Sequence, residues 1–95
     1  MDKEQIINII KNRKDYFIDK YNLKEIAIFG SVARNEQTDS SDIDILVDFY
    51  KPIGLAFVSL GDELELLLNN KVDLVSKNGI KPQYMKFIEQ ELIYV

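Results

Sequence analysis

The segment Asp42–Phe49, DIDILVDF, constrains the fold most, because its side chains alternate between two kinds of environment. One side of an extended chain would carry the apolar residues Ile43, Ile45, Val47 and Phe49. The other side would carry Asp42, Asp44, Leu46 and Asp48. This pattern predicts a half-buried strand whose apolar side needs a covering layer. Acidic residues are poor strand formers, so the aspartates at its start indicate either a solvated strand end or a site for a positive charge.

The remaining patterns predict a small mixed fold around this strand. Apolar residues at helical spacing, and a capping box formed by Asp2 and Gln5, predict an amphipathic first helix. Helices are predicted over 3–20, 54–69 and 82–89, with one or two helical turns over 31–36. Strands are predicted over 25–29, 42–49, 71–76 and 92–95. The order predicts one α/β (α+β) domain over residues 1–95, with a mixed sheet of three to four strands backed by helices.

The composition excludes several kinds of function. The sequence has no cysteine and no histidine, so thiolate or imidazole zinc sites and the Ser-His-Asp triad are ruled out. A net charge of −4 argues against extended nucleic-acid binding. No apolar run approaches the length of a membrane span, and a cytoplasmic location is expected by default. A chain of 95 residues has little room for a second lobe that grips a large substrate.

Three aspartates form a candidate metal site. Asp42 and Asp44 are two residues apart, so their carboxylates fall on the same side of the strand. Asp73 interrupts an otherwise apolar run in the next predicted strand, and a buried carboxylate needs a partner or a counter-ion. If the two strands are neighbours, the three carboxylates can converge on one face. Oxygen ligands of this kind suit Mg²⁺ or Mn²⁺. Asp48 is a rival ligand on the same side, further along the strand.

A Gly-Ser turn before this strand is a candidate anion site. Gly30 allows close approach of the backbone to a ligand, and Ser31 adds a hydroxyl donor. The N–H groups that follow, and the guanidinium of Arg34, suit phosphate oxygens. Taken singly, an ordinary turn, a solvated strand end and a surface arginine are the commoner explanations. Their combination in this order favours phosphoryl or nucleotidyl transfer through two metal ions.

The stretch GSVARNEQTDSSDIDILVDF resembles the G-S-x10-D-x-D signature of the DNA-polymerase-beta-like nucleotidyltransferase superfamily, with Gly30, Ser31, Asp42 and Asp44 at its fixed positions. The short chain is most similar to the minimal nucleotidyltransferases (MNT antitoxins) that are paired with HEPN ribonuclease toxins in type VII toxin–antitoxin systems. Many relatives have glycine after the arginine, where this chain has Asn35. Asparagine tolerates the left-handed conformation best among the other residues, so the turn is expected to be kept.

The resemblance implies a nucleotidyltransferase fold and a role for each matched residue. Gly30 and Ser31 would hold the triphosphate of ATP, with Arg34 assisting. Asp42 and Asp44 would bind two Mg²⁺ ions, for which Mn²⁺ could substitute. Asp73 would complete the metal site and help to deprotonate the attacking hydroxyl as pyrophosphate leaves. In MNT proteins of toxin–antitoxin pairs, that hydroxyl belongs to a tyrosine of the HEPN partner, whose AMPylation silences its RNase activity.

Three functions stay open at this point. The first is an ATP-dependent protein adenylyltransferase that acts as an antitoxin on a HEPN toxin. The second is a non-catalytic antitoxin that neutralises its partner by binding. The third is a small-molecule nucleotidyltransferase, for instance of the aminoglycoside type, which would need a homodimer or a second subunit to supply the acceptor pocket. The sequence leaves open the acceptor hydroxyl, the choice of nucleotide and the oligomeric state.

Overall fold

The computed structural model describes all 95 residues, Met1–Val95, as four helices, four strands and one 3-10 turn. The helices are α1 (Lys3–Tyr21), α2 (Gly30–Ala33), α3 (Ala56–Leu68) and α4 (Pro82–Glu89). The strands are β1 (Leu23–Phe29), β2 (Ile43–Phe49), β3 (Val72–Ser76) and β4 (Ile93–Tyr94), and the 3-10 turn spans Lys77–Gly79. The predicted α/β fold and the predicted order of elements are confirmed.

Local chemistry sets the ends of the long helices. Asp2 accepts a hydrogen bond from the Gln5 backbone N–H, and the Gln5 side chain accepts one from the Asp2 N–H, which confirms the predicted capping box. Helices α1 and α3 both end at an asparagine in the left-handed conformation, Asn22 and Asn69. No helix combines the length and the apolar character needed to cross a membrane.

The four strands form one mixed sheet in the order β3-β2-β1-β4. Strand β1 runs antiparallel to β2 and to β4, whereas β2 and β3 are parallel. The C-terminal end of β1 therefore lies at the same end of the sheet as the N-terminal ends of β2 and β3. In the register of the sheet, Asp44 is opposite Phe29 on one side and opposite Asp73 on the other.

The core lies between the sheet and the helices α1 and α3, which also contact each other. Its buried residues come from both helices, from the helix-facing side of β1 and β2 and, for Val32, from α2: Ile6, Ile10, Phe17, Tyr21, Leu23, Ile26, Ile28, Val32, Ile43, Ile45, Val47, Leu60, Leu64 and Leu68. The apolar side predicted for β2 is thus the core side. Ala27 and Leu46 are opposite each other in register and are also fully buried, on the other face of the sheet. Asp44 shares that second face.

A polar cluster joins α1 to α3 outside this core. The Glu63 carboxylate accepts hydrogen bonds from the hydroxyls of Tyr16 and Tyr21, and it forms an ion pair of 3.0 Å with Lys20. These hydrogen bonds, that of Tyr16 first, lower the pKa of Glu63 to about 2. Lys20 is half exposed, so the ion pair itself contributes little to stability. The tyrosine hydrogen bonds are the larger contribution because they are partly buried.

We expect Glu63→Gln to lower the melting temperature at pH 7 by about 5 °C, because the tyrosine hydroxyls lose a charged acceptor. A carboxyl with a lowered pKa stabilises the fold above its ordinary pKa of 4.5, and that contribution disappears as the pH falls toward 2. The difference between wild type and variant should therefore shrink between pH 5 and about pH 2. Thermal unfolding followed by circular dichroism measures it, with the exposed neighbour Asp62→Asn as the control. Equal melting temperatures at pH 7 would contradict this role.

Candidate active site

The acidic residues gather where β2 and β3 begin. Asp44 and Asp73 are direct register partners on these parallel strands. Asp42 immediately precedes β2, and it lies on the same side as Asp44 because the two are two residues apart. Asp42 and Asp73 are exposed, whereas Asp44 is half-buried. The pairing of the two aspartate-bearing strands, which the sequence analysis stated only as a condition, is present in the sheet.

The negative charge of this group is not balanced within the chain. Burial, followed by the charges of Asp73 and Asp42, raises the pKa of Asp44 from 3.8 to about 6. None of the four ion pairs in the structure involves any of these three aspartates. A carboxylate that is partly desolvated beside two like charges is stabilised by a cation. The group therefore has the electrostatic character of a cation site.

The donor set fits a hard divalent ion, but the side chains do not form a ready-made cage. All candidate ligands are carboxylate oxygens, the donors that Mg²⁺ and Mn²⁺ prefer. No group of three acidic side chains in the structure is arranged so that it could hold one ion. The structure therefore pairs Asp44 with Asp73 in backbone register but does not bring the three carboxylates together around one point, and side-chain rotations would have to complete a metal site.

The rival ligand Asp48 lies at the other end of β2. It is opposite Glu25 in the register of the sheet, and Glu25 in turn forms an ion pair of 3.4 Å with Lys77. Asp48 is four positions after Asp44 in the strand, which is about 13 Å along the chain. Asp48 is therefore too far away to share an ion with Asp42.

The Gly-Ser turn is packed directly against Asp44. Gly30 has a φ of +70°, a conformation that favours glycine. A Cβ atom at this position would lie 2.0 Å from Oδ2 of Asp44, so the Asp44 side chain would have to move. Asn35, where many relatives have glycine, also has a positive φ of 58°, as the sequence predicts. The turn and the acidic group, which were inferred separately from the sequence, are therefore in contact.

A residue that the sequence did not indicate completes this end of the sheet. Glu91 follows α4, and its Oε1 accepts a hydrogen bond of 2.9 Å from the Gly30 N–H. Its Oε2 accepts a hydrogen bond of 2.6 Å from the guanidinium of Arg34, which is also 3.4 Å from Glu36. No motif surrounds Glu91 in the sequence. Only the pairing of β4 with β1 brings it here.

Comparisons with known proteins indicate the family of the chain. A family model described as a nucleotidyltransferase domain matches residues 6–95. A Methanocaldococcus jannaschii protein, assigned as a protein adenylyltransferase, is 55% identical over 93 residues, which cover 96% of this chain and 95% of that protein.

Solved structures share the fold. A protein assigned as a minimal nucleotidyltransferase has a TM-score of 0.84 at 32% identity, with 98% of this chain and 95% of that chain covered. A chain in the complex of a tri-AMPylated Shewanella oneidensis HEPN toxin with an MNT antitoxin has a TM-score of 0.62 at 22% identity, with 97% of this chain and 66% of that chain covered. The second likeness shows the fold alone. Together these matches confirm the nucleotidyltransferase fold that the resemblance implied.

We expect Gly30→Ala to lower the melting temperature by about 10 °C, because alanine is strained at this φ and its Cβ would collide with Asp44. Gly79→Ala is the matched control, since a Cβ there meets nothing within 4 Å. Thermal unfolding of both variants measures the difference. A Gly30→Ala protein as stable as the Gly79→Ala protein would show that the turn is not held against Asp44.

We expect Asp44→Asn to raise the melting temperature of the metal-free protein at pH 8 by about 5 °C. The raised pKa of Asp44 means that its ionised form is disfavoured in the fold. The free-energy cost of ionising Asp44 in the folded protein develops as the pH rises from about 4 to 6, and it is fully present at pH 8. Thermal unfolding in EDTA tests it, with Asp48→Asn as the control. Added Mg²⁺ should stabilise wild type and not Asp44→Asn. An Asp44→Asn protein that is less stable than wild type in EDTA would show that ionised Asp44 does not destabilise the fold.

Proposed function

The chain belongs to the nucleotidyltransferase domain family, and from this premise we propose that it transfers AMP from ATP to a hydroxyl group on a partner protein. The observation that carries the proposal is the contact between the Gly-Ser turn and Asp44. Oδ2 of Asp44 lies so close to Gly30 that it occupies the space a Cβ atom would need there. This contact unites a set of phosphate donors with a set of carboxylates in one site. Nucleotidyl transfer needs both, because the donors hold the triphosphate and the carboxylates hold the metal ions that neutralise its charge.

We assign the triphosphate to the donors around the turn. The Gly30 N–H and the Ser31 hydroxyl would donate to phosphate oxygens, and the Arg34 guanidinium would bind two of them from the solvent side. A backbone N–H held by a fixed turn loses little entropy when it binds an anion. These three groups would therefore set the position of the α-phosphorus relative to the strands.

We assign Mg²⁺ to Asp42, Asp44 and Asp73, as two ions for which Mn²⁺ could substitute. Bound there, the metal would neutralise the triphosphate and make the leaving pyrophosphate a weaker base. Asp73 is exposed at the start of β3, where one of its oxygens can accept the proton of an incoming hydroxyl. That hydroxyl oxygen would form the new bond to the α-phosphorus as the bond to pyrophosphate breaks.

We propose that the acceptor is a protein side chain, most simply a tyrosine of a HEPN toxin. Two of the three aspartates are exposed, and no cavity of the structure is lined by Asp42, Asp44 or Asp73. Small-molecule sites are usually concave and enclosed, so an open site favours a macromolecular acceptor over an antibiotic. The name of the M. jannaschii relative and the toxin–antitoxin complex of the same fold support this choice.

Mass spectrometry tests the reaction directly. The protein is incubated with ATP, Mg²⁺ and the HEPN protein encoded beside its gene, and we expect the HEPN protein to gain the mass of one or more AMP groups. Asp42→Ala/Asp44→Ala should reduce the transfer by at least about 1,000-fold, because two of the three carboxylates assigned to the metal ions are removed. Asp48→Asn is the control and should retain full activity.

Two outcomes would refute the proposal. Absence of transfer by wild type would exclude protein adenylylation of this partner, and equal transfer by the double variant would exclude these carboxylates. An RNase assay in the same mixtures separates the alternatives. Full silencing of the toxin by Asp42→Ala/Asp44→Ala would identify a non-catalytic binding antitoxin, and AMP transfer to an aminoglycoside in place of the protein would identify a small-molecule enzyme.

A further inference from the structure

The C-terminal segment after α4 is fixed alongside β1. Strand β4 pairs with β1 through Ile28–Ile93 and Ala27–Tyr94, and the Val95 N–H donates to the Ile26 carbonyl at 2.9 Å. This pairing follows Glu91 by only two residues. Since β1 leads directly into Gly30, the segment that carries Glu91 is held beside the turn by the backbone of the sheet.

Glu91 takes up two of the donors that the proposed function gives to the triphosphate. One carboxylate oxygen accepts the Gly30 N–H at 2.9 Å, and the other accepts the Arg34 guanidinium at 2.6 Å. A carboxylate and a phosphate group present the same kind of anionic oxygen. The Gly30 N–H has one hydrogen, so it cannot make a full hydrogen bond to both. The Glu91 side chain is about a quarter exposed, with 24% of its surface accessible, so it is held in place without being locked in the core.

We propose that Glu91 is an internal substitute for the nucleotide: its carboxylate occupies the phosphate donors of the turn until the triphosphate of ATP displaces it. The inference rests on the proposed function, because it concerns the same donors. In the free protein Glu91 neutralises Arg34 and keeps the Gly30 N–H directed toward the site. When ATP binds, the Glu91 carboxylate leaves both donors, since its charge repels the phosphate. Glu91 is thus a positioning residue that also lowers the affinity for nucleotide.

This role predicts that removal of an acidic side chain strengthens the binding of an anionic ligand, because the side chain competes with that ligand for the same donors and repels it. Here Glu91→Gln should bind ATP more tightly than wild type, by about fivefold, because ATP no longer has to break a charged pair of partly exposed groups. The glutamine side chain keeps the size of the glutamate and can still accept the Gly30 N–H, so the fold is retained.

Isothermal titration calorimetry with ATP and Mg²⁺ measures this effect in wild type, Glu91→Gln and Glu91→Ala. Glu89→Gln is the matched control: it removes the same charge two residues away, and Glu89 makes no side-chain hydrogen bond or ion pair in the structure. We expect a Kd about fivefold lower for both Glu91 variants and a Kd within twofold of wild type for Glu89→Gln. Hydrogen exchange of the Gly30 amide provides a second readout that needs no nucleotide. It should be slow in wild type and faster in Glu91→Ala.

The outcomes separate this inference from the function on which it rests. If wild type binds ATP and both Glu91 variants bind it equally or more weakly, Glu91 is a structural tie or a direct ligand, and the inference is overturned while the proposed function stands. A Gly30 amide that exchanges equally fast in wild type and in Glu91→Ala also overturns it. If neither wild type nor any variant binds ATP, the proposed function fails and the inference fails with it. Tighter binding confined to the Glu91 variants supports both.

Discussion

The backbone pairing of β2 with its two neighbours is the constraint on which the rest of the molecule depends. Antiparallel pairing with β1 sets Asp44 opposite the end of that strand, and parallel pairing with β3 sets it opposite Asp73. A shift of one residue in either register would turn these side chains to the core side of the sheet. The core prevents such a shift, because Ile43, Ile45 and Val47 would then leave it. Hydrophobic burial thus fixes where the charged residues stand.

The site is costly for the fold that carries it. A half-buried aspartate beside two others disfavours the folded state at neutral pH, as the raised pKa of Asp44 indicates. The helices α1 and α3 offset this free-energy cost on the opposite face of the sheet. They pack their apolar side chains into the core there, and the polar cluster around Glu63 joins them to each other. Stability and chemistry are therefore divided between the two faces of one sheet.

The sequence predicted the elements well and their contacts only in part. Periodicity and capping residues are local, so the helices, the strands and the side of β2 that faces the core could be predicted. The adjacency of Asp44 and Asp73 could be expected only on the condition that β2 and β3 pair. The contact of Gly30 with Glu91 could not, because it joins residues 61 positions apart through the pairing of β4 with β1, and the sequence indicates a strand over 92–95 without indicating the strand with which it pairs. A motif indicates which residues a reaction uses, whereas the register decides what else touches them.

The position of Asp73 has a consequence of a different kind. Strand β3 is an edge of the sheet, and its free backbone groups could pair with a strand of another molecule. Asp73 places an exposed negative charge within this short edge, with Lys71 before it and Lys77 after it. Charged residues on an edge strand oppose intermolecular pairing and the aggregation to which it leads. The carboxylate that we assign to proton transfer therefore also protects the sheet from adding strands, so its replacement by an apolar residue would affect solubility as well as chemistry.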